Sequence, residues 1–379
     1  MFKTFLATYK EKPTIVCVVN ADTILQKADL IELLKGYSNY NILIDYTAEA
    51  PLVIHDTETN QIIDVFDYLH NIVQRSDRHP NTVFYVNGNM DIKANYEYYK
   101  SVKGIKDEQS LGGVDYYCVW AANQKSNQPD HSSSYDKYKK SVKSYHASFL
   151  NATPKWHRAE AIKMLWQKDC LDFKKMRVTY MTKGSDNQDF GGDFTDFPEL
   201  KKILPIASPQ GHGNCTQNLT WNYANISNYH RFLEIFNETY FDVVTETQAG
   251  NLRDQNAKPL GYTWSSRFYT EKTWRCMHFK RPFLYVSAPG QLEGLRSLGF
   301  RTFDGFLFDE SYDKEVNFYK RLDMVTEEVR RLLKLPLSEL HDLIYSDRVK
   351  EIVEHNYDLF SQFSAQQTIY EFLNRSNNS

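Results

Sequence analysis

Phe241-Asp-Val-Val-Thr-Glu-Thr247 is followed, after a polar loop, by Arg267-Phe-Tyr-Thr-Glu-Lys-Thr-Trp-Arg-Cys-Met-His-Phe-Lys-Arg-Pro-Phe-Leu-Tyr-Val-Ser287. Phe241 to Thr245 and Pro282 to Ser287 are short apolar runs with the length and β-branched or aromatic content of buried strands. Between them, Thr270 to Phe279 predicts a helix whose cap is Thr270. Strand, helix, strand in that order is a βαβ unit, which requires a parallel sheet.

Outward from this unit the alternation continues. Gln291 to Leu298 predicts the next helix, and Asp313 to about Phe363 is helical in pattern with a break at Pro336. Upstream, Ala147 to Asn151 and Arg177 to Met181 read as strands, with a helix over His157 to Gln167 between them. In the first third, Thr14 to Val19, Asn41 to Asp45 and Thr82 to Val86 read as strands, and Tyr116 to Ala121 as a fourth. Ala28 to Lys35 and Val65 to Val73 read as helices. The chain has 379 residues, more than one ordinary domain holds. Residues 123–134, rich in Ser, Asn, Gln and Pro, mark a boundary. The expected division is therefore 1–134, 135–340 and a helical 341–379 that packs back across the two α/β domains.

Composition and absent motifs narrow the chemistry. With 45 Lys and Arg against 48 Asp and Glu, the net charge is -3, so a nucleic-acid partner would need a local basic patch. The five cysteines are far apart with no C-x-x-C, which disfavours a zinc ribbon or a disulfide scaffold. The N-terminus lacks the apolar core of a signal peptide and no apolar run approaches the length of a membrane span, so a cytoplasmic location is expected. The chain contains no P-loop, no H-E-x-x-H, no G-x-S-x-G and no Asp-x-Asp pair. Gly211-His-Gly213 is an isolated pair and reads as a plain loop.

The residues around Thr270 carry a chemical signal. A helix opened by Thr270-Glu271-Lys272-Thr273 presents backbone N–H groups and Lys272 at its positive end, a natural anion site. Glu246 and Glu271 are placed to accept hydrogen bonds from sugar hydroxyls. The alternative is an ordinary N-capped helix with Glu in its first turn.

T-E-T at 245–247, T-E-K-T at 270–273, K-x-P-F-x-x-x-x-x-P-G from Lys280 to Gly290, L-R-x-L-G-F-x-T-F from Leu295 to Phe303 and D-E-S-Y-D at 309–313 together resemble glycosyltransferase-like proteins of tailed phages. More distantly they are similar to the donor-binding half of fucosyltransferases, where a Y-x-T-E-K segment binds the donor nucleotide. Here Phe268 lies three before Glu271, and Tyr269 is one place nearer. The stretch from Phe149 to Arg158 resembles the family's strand–LN–loop–HR–helix, in which the helix arginine faces the donor pyrophosphate. The resemblance implies a GT-B-like α/β architecture, two Rossmann-like domains facing each other across a cleft. It implies a donor site built from Arg158, Glu246, Tyr269, Glu271, Lys272 and Arg275. In the N-terminal half, D-x-x-x-E at Asp45 and Glu49 and Y-x-x-G-N from Tyr85 to Asn89 are a looser match. A general base for the acceptor is expected there, Glu49 first and Asp45 as competitor.

The segment from Lys137 to Arg177 holds eleven Lys and Arg against three Asp and Glu, an excess of +8 against about -11 elsewhere. Such a cluster is either a solvated face or an attractor of polyanions. Tyr135, Tyr138, Tyr145 and Trp156 are interleaved with it. Phage glycosyltransferases that decorate hydroxymethylated bases make DNA, with hydroxymethylcytosine, a candidate acceptor. The combined expectation is a metal-independent glycosyltransferase with no bound cofactor, inverting or retaining, moving a sugar from a nucleotide-sugar donor. The alternatives are a glycan or protein acceptor, or a non-catalytic phage protein of the same fold that binds sugar or nucleic acid.

Overall fold

The computed structural model describes residues 3–9, 12–18, 27–46, 53–56, 61–116, 134–151, 155–180, 193–206, 233–247, 249 and 266–363. The chain is a mixed α/β protein with two predominantly parallel sheets, as the alternating pattern predicts. It divides into two compact units, Met1–Asn123 with Gly250–Tyr269 and Ser364–Ser379, and Gln124–Ala249 with Thr270–Phe363. The chain thus passes from the first unit to the second between Tyr269 and Thr270, at the start of the T-E-K-T match. The helical residues up to Phe363 belong to the second unit and do not form a separate module, which differs from the expected division at 341.

In the first unit, strands β1 (Lys3–Tyr9), β2 (Lys12–Val18), β3 (Asn41–Tyr46), β6 (Val83–Asn87) and β7 (Gly113–Tyr116) form one sheet in that order. β2, β3, β6 and β7 are parallel, and β1 pairs antiparallel with β2. β4 (Val53–Asp56) and β5 (Gln61–Asp64) form a separate antiparallel hairpin. The crossovers are helices α1 (Lys27–Gly36), α2 (Val65–Arg75) and α3 (Ile92–Lys103). Because the strands are laid down in one direction, the right-handed crossover rule puts all three helices on one face. Their buried residues join those of the strands in a single apolar cluster that includes Cys17, Leu30, Phe66, Leu69, Tyr85 and Tyr96. Asp64 ends the hairpin and caps α2, accepting from Phe66 N at 2.6 Å.

In the second unit, β8 (Tyr145–Asn151), β9 (Met176–Tyr180), β10 (Thr239–Thr245) and β11 (Phe283–Val286) form a wholly parallel sheet in the order β11-β10-β8-β9. After β8 the chain builds β9 on one side, then returns to build β10 and β11 on the other. That reversal is a topological switch point, and in open parallel sheets it leaves a crevice at the carboxyl ends of the two diverging strands. Among the described strands of the first unit no such reversal occurs. Helix α4 (Ser134–Lys139) precedes β8, α5 (Trp156–Gln167) follows it, and α6 (Pro198–Ile203) follows β9. Helix α7 (Glu271–His278) leads into β11, and α8 (Gln291–Ser297) follows β11. Helices α9 (Phe318–Leu333), α10 (Leu337–Ile344) and α11 (Asp347–Phe363) close the unit. α9 packs on α5 and β11, α10 on β8 and β10, and α11 on α7.

Candidate functional site

The switch-point crevice of the second unit gathers most of the residues singled out on sequence. β8 ends at Asn151, β10 at Thr245, and α5 and α7 begin nearby. Asn151 Oδ1 accepts a hydrogen bond from Thr245 Oγ1, which joins the two strand ends. From the first turn of α5, His157 Nε2 donates to Glu246 O at 2.8 Å and Arg158 Nη2 to Thr245 O at 3.5 Å. Lys155, just before that helix, reaches Thr247 O at 3.4 Å.

Glu246 is fully buried and its carboxylate is saturated by four donors. Oε1 accepts from Thr270 N at 3.1 Å and from Thr273 Oγ1. Oε2 accepts from Thr270 Oγ1 at 2.6 Å and from Thr247 N at 3.1 Å. A carboxylate offers about four lone-pair sites. Every site on Glu246 is therefore engaged within the protein, and the side chain acts as the anchor that fixes α7 to the end of β10. The sequence reading assigned Glu246 to ligand hydroxyls; its surroundings give it this holding task instead.

Thr270 caps α7 as expected, its hydroxyl accepting from Lys272 N at 3.5 Å. Lys272 Nζ donates to Thr270 Oγ1 at 3.0 Å and to Glu271 Oε1 at 2.8 Å. Both Lys272 and Glu271 keep some solvent exposure. Burial would raise the Glu271 carboxyl, but the charge and hydrogen bond of Lys272, with the charge of Arg275, hold it below its ordinary value. Arg158 is buried, and its desolvation lowers the guanidinium from its ordinary value, opposed by the charges of Glu271 and Glu246. Arg275 is buried on α7 and lies over the Phe236 ring, 5.8 Å from its centroid. A void of about 10 Å3, lined by Lys272, Arg275 and Thr245 among others, lies beside them. It is about the size of one water. The structure thus brings together Arg158, Glu246, Glu271, Lys272 and Arg275. Lys155 and Asn151 join them, and neither was singled out as a site residue in the sequence; their signal was position, at the strand end and before the helix.

A scan of family models, a search of the curated proteins and a search of the solved structures found no match to this chain. The fold and the site therefore rest on its own residues.

Tyr269 is fully buried and belongs to the first unit. In the same unit Arg267 makes a two-pronged contact with Asp91, with Nε 2.9 Å from both carboxylate oxygens. The Y-x-x-G-N match is held by its own side chains: Asn87 Nδ2 donates to Tyr85 Oη at 2.6 Å, and Asn89 N donates to Asn87 Oδ1 at 2.7 Å. Asp45 sits in β3, opposite Val18 and Val86, and is 4% exposed. It is the penultimate residue of the strand, at the carboxyl end where the sequence reading had it. Glu49 lies outside the described residues.

The motifs after β11 are framework. Asp313 accepts from Leu292 N at 2.9 Å and Glu293 N at 3.0 Å, so a carboxylate of the protein itself occupies the N-terminus of α8. Glu310 accepts from Phe303 N at 2.8 Å and Arg296 Nη1 at 3.1 Å. Burial, only partly offset by these donors and by Thr302, pushes the Glu310 carboxyl up to about 7.

The basic stretch 137–177 does not form one face. Lys163 pairs with Glu160, Lys168 with Asp323 and Glu327, and Arg177 with Glu238. Lys175 donates to Leu333 O at 2.8 Å. Lys143 is buried over the rings of Tyr138 and Tyr345, at 5.5 and 5.9 Å. With Lys155 and Arg158 already placed in the crevice, only Lys137, Lys139, Lys140 and Lys174 of the eleven are exposed. Tyr135 and Tyr138 are buried, and Tyr135 Oη donates to Ile344 O at 3.0 Å, so neither presents a stacking surface. Among the described residues no group of His, Cys, Asp and Glu could hold a metal ion, and no helix is long and apolar enough to cross a membrane.

Proposed function

We propose that this protein is a glycosyltransferase that takes its sugar from a nucleotide-activated donor, in the two-domain GT-B arrangement implied by the sequence resemblance. The observation that carries the reading is the convergence of Lys155, Arg158, Lys272 and Arg275 at the carboxyl ends of β8 and β10, where the strand order reverses. Ligands of open α/β sheets bind at such a point. Lysine and arginine there supply the positive charge a diphosphate needs without a metal ion. Lys272 exchanges its contacts with Thr270 and Glu271 for phosphate oxygens. Glu271 then turns to a donor hydroxyl, and Glu246 holds α7 in place. Glu49, with Asp45 as competitor, is the general base for the acceptor hydroxyl.

The test is a thermal-shift panel of uridine, guanosine, cytidine and thymidine diphosphates. A ligand at 100 times its dissociation constant adds about 2.7 kcal/mol, a plainly visible shift. Stabilisation of the parent by at least one, lost in Arg158→Ala and Lys272→Ala, supports the reading; no shift from any of them refutes it. The acceptor is tested by incubating protein, nucleotide sugar and DNA containing 5-hydroxymethylcytosine, then weighing the digested nucleosides. A hexose or pentose increment identifies DNA as acceptor. Its absence across donors directs the search to glycans and proteins, in keeping with the dispersed basic stretch.

A further inference from the structure

Three buried polar atoms of uncharged side chains, each without a hydrogen-bond partner, fall at one strand-to-helix junction, from the end of β8 to the first turn of α5: Asn151 Nδ2, Trp156 Nε1 and His157 Nδ1. Asn151 is 2% exposed and His157 1%. Unpartnered buried polar atoms are uncommon and each carries an uncompensated desolvation cost, so three at one junction of the crevice ask for a function.

The hydrogen-bonding sense of each atom is set by what the rest of its side chain does. Asn151 Oδ1 accepts from Thr245 Oγ1, which leaves its amide N–H groups as free donors. The Trp156 indole N–H can only donate. His157 Nε2 faces Glu246 O, a carbonyl that can only accept, so the ring proton sits on Nε2. Burial first, then the charges of Arg158, Lys155 and Lys272, hold the ring well below its ordinary pKa and therefore neutral. Nδ1 is then a bare acceptor. The junction offers two uncharged donors and one uncharged acceptor beside a group of cations.

A fully ionised phosphate has acceptors alone: it can satisfy Asn151 and Trp156 but leaves His157 Nδ1 unmet. A hydroxyl both donates and accepts. We infer that Asn151, Trp156 and His157 are specificity-determining residues that recognise hydroxyl groups of the ligand, so that the crevice takes a polyhydroxylated anion, a sugar or ribose phosphate, in preference to bare phosphate. This inference rests on the reading of the same crevice as an anion site. Because the three atoms are shielded from solvent, the ligand reaches them with a small displacement of the first turn of α5.

The experiment compares inorganic pyrophosphate with uridine and guanosine diphosphates, UDP-glucose and GDP-mannose. Calorimetry is run on the parent, Asn151→Leu and Trp156→Phe, and 15N NMR on histidine-labelled parent. Loss of one neutral hydrogen bond weakens binding about 3- to 10-fold. The expected result is such a loss toward at least one nucleotide or nucleotide sugar; pyrophosphate, which can use the same two donors but not His157 Nδ1, is told apart from it by the histidine resonance. The His157 Nδ1 resonance should move upfield with that ligand and stay unmoved with pyrophosphate. A parent that binds these ligands while both variants bind them equally well, or whose His157 Nδ1 ignores every probe, overturns the inference and leaves the anion site standing; an ordered water then satisfies the junction. A parent that binds neither pyrophosphate nor any nucleotide overturns both.

Discussion

Replacing Glu246 by Ala should unfasten the start of α7, and the size of the effect follows from its contacts. The change removes the acceptor of Thr270 N, Thr270 Oγ1, Thr273 Oγ1 and Thr247 N. Two of these donors have somewhere else to turn. Thr273 Oγ1 also meets Tyr285 Oη, and Thr247 is near the surface. Thr270 N and Thr270 Oγ1 remain buried with no acceptor, and each orphaned group costs about 1–3 kcal/mol. The two orphaned groups together give an expected destabilisation of about 2–6 kcal/mol, before the void left by the side chain is counted. Glu246→Gln keeps one acceptor oxygen and the volume, but turns an N–H2 toward donors, so about half that loss is expected. The assay is urea unfolding followed by tryptophan fluorescence, since Trp274 is fully buried on α7 itself. A loss below about 1 kcal/mol in Glu246→Ala, within the ordinary range for surface changes, would refute the anchoring role. Glu246 would then be free to serve the ligand directly.

Lys272→Ala should weaken the binding of whichever nucleoside diphosphate the panel identifies by about 10- to 100-fold, the worth of one charge-assisted hydrogen bond, as read by calorimetry. Glu310 is held above its ordinary carboxylate value in the folded state, so the folded protein binds the extra proton. Stability should therefore fall as pH rises from about 4.5 to about 7, and Glu310→Gln should flatten that slope in urea titrations. Lys143 is shifted the opposite way, pushed down to about 8 by burial and by the charge of Arg281. The folded state releases its proton first, so stability should rise between about pH 8 and 10.5, and Lys143→Met should abolish that rise.

How much of this was legible in the chain depended on how far apart the cooperating residues are. The strands over residues 12–18, 41–46, 83–87, 145–151, 176–180 and 239–245 lie where apolar runs predicted them, because a buried strand of a parallel sheet is apolar on both faces. The Thr270 cap was equally readable, since a cap acts on an N–H two residues on. β1, the β4–β5 hairpin and α3 were missed. Their sequences mix polar, aromatic and aliphatic residues, and pairing or packing with the rest of the first unit settles their state. The same contrast holds at the site. The charges of Lys272, Glu271 and Arg158 could be picked out in the sequence. That Glu246 is saturated required Thr270 and Thr273, 24 and 27 residues away. That the basic run is dispersed required Glu238, Asp323 and Glu327. That Asp313 fills the N-terminus of α8 required a chain reversal of some 20 residues. Periodicity and capping act within a turn or two of chain and are written locally. Strand order decides where the crevice opens, and long-range hydrogen bonds decide which polar groups remain for a ligand; both exist only once the sheet is assembled.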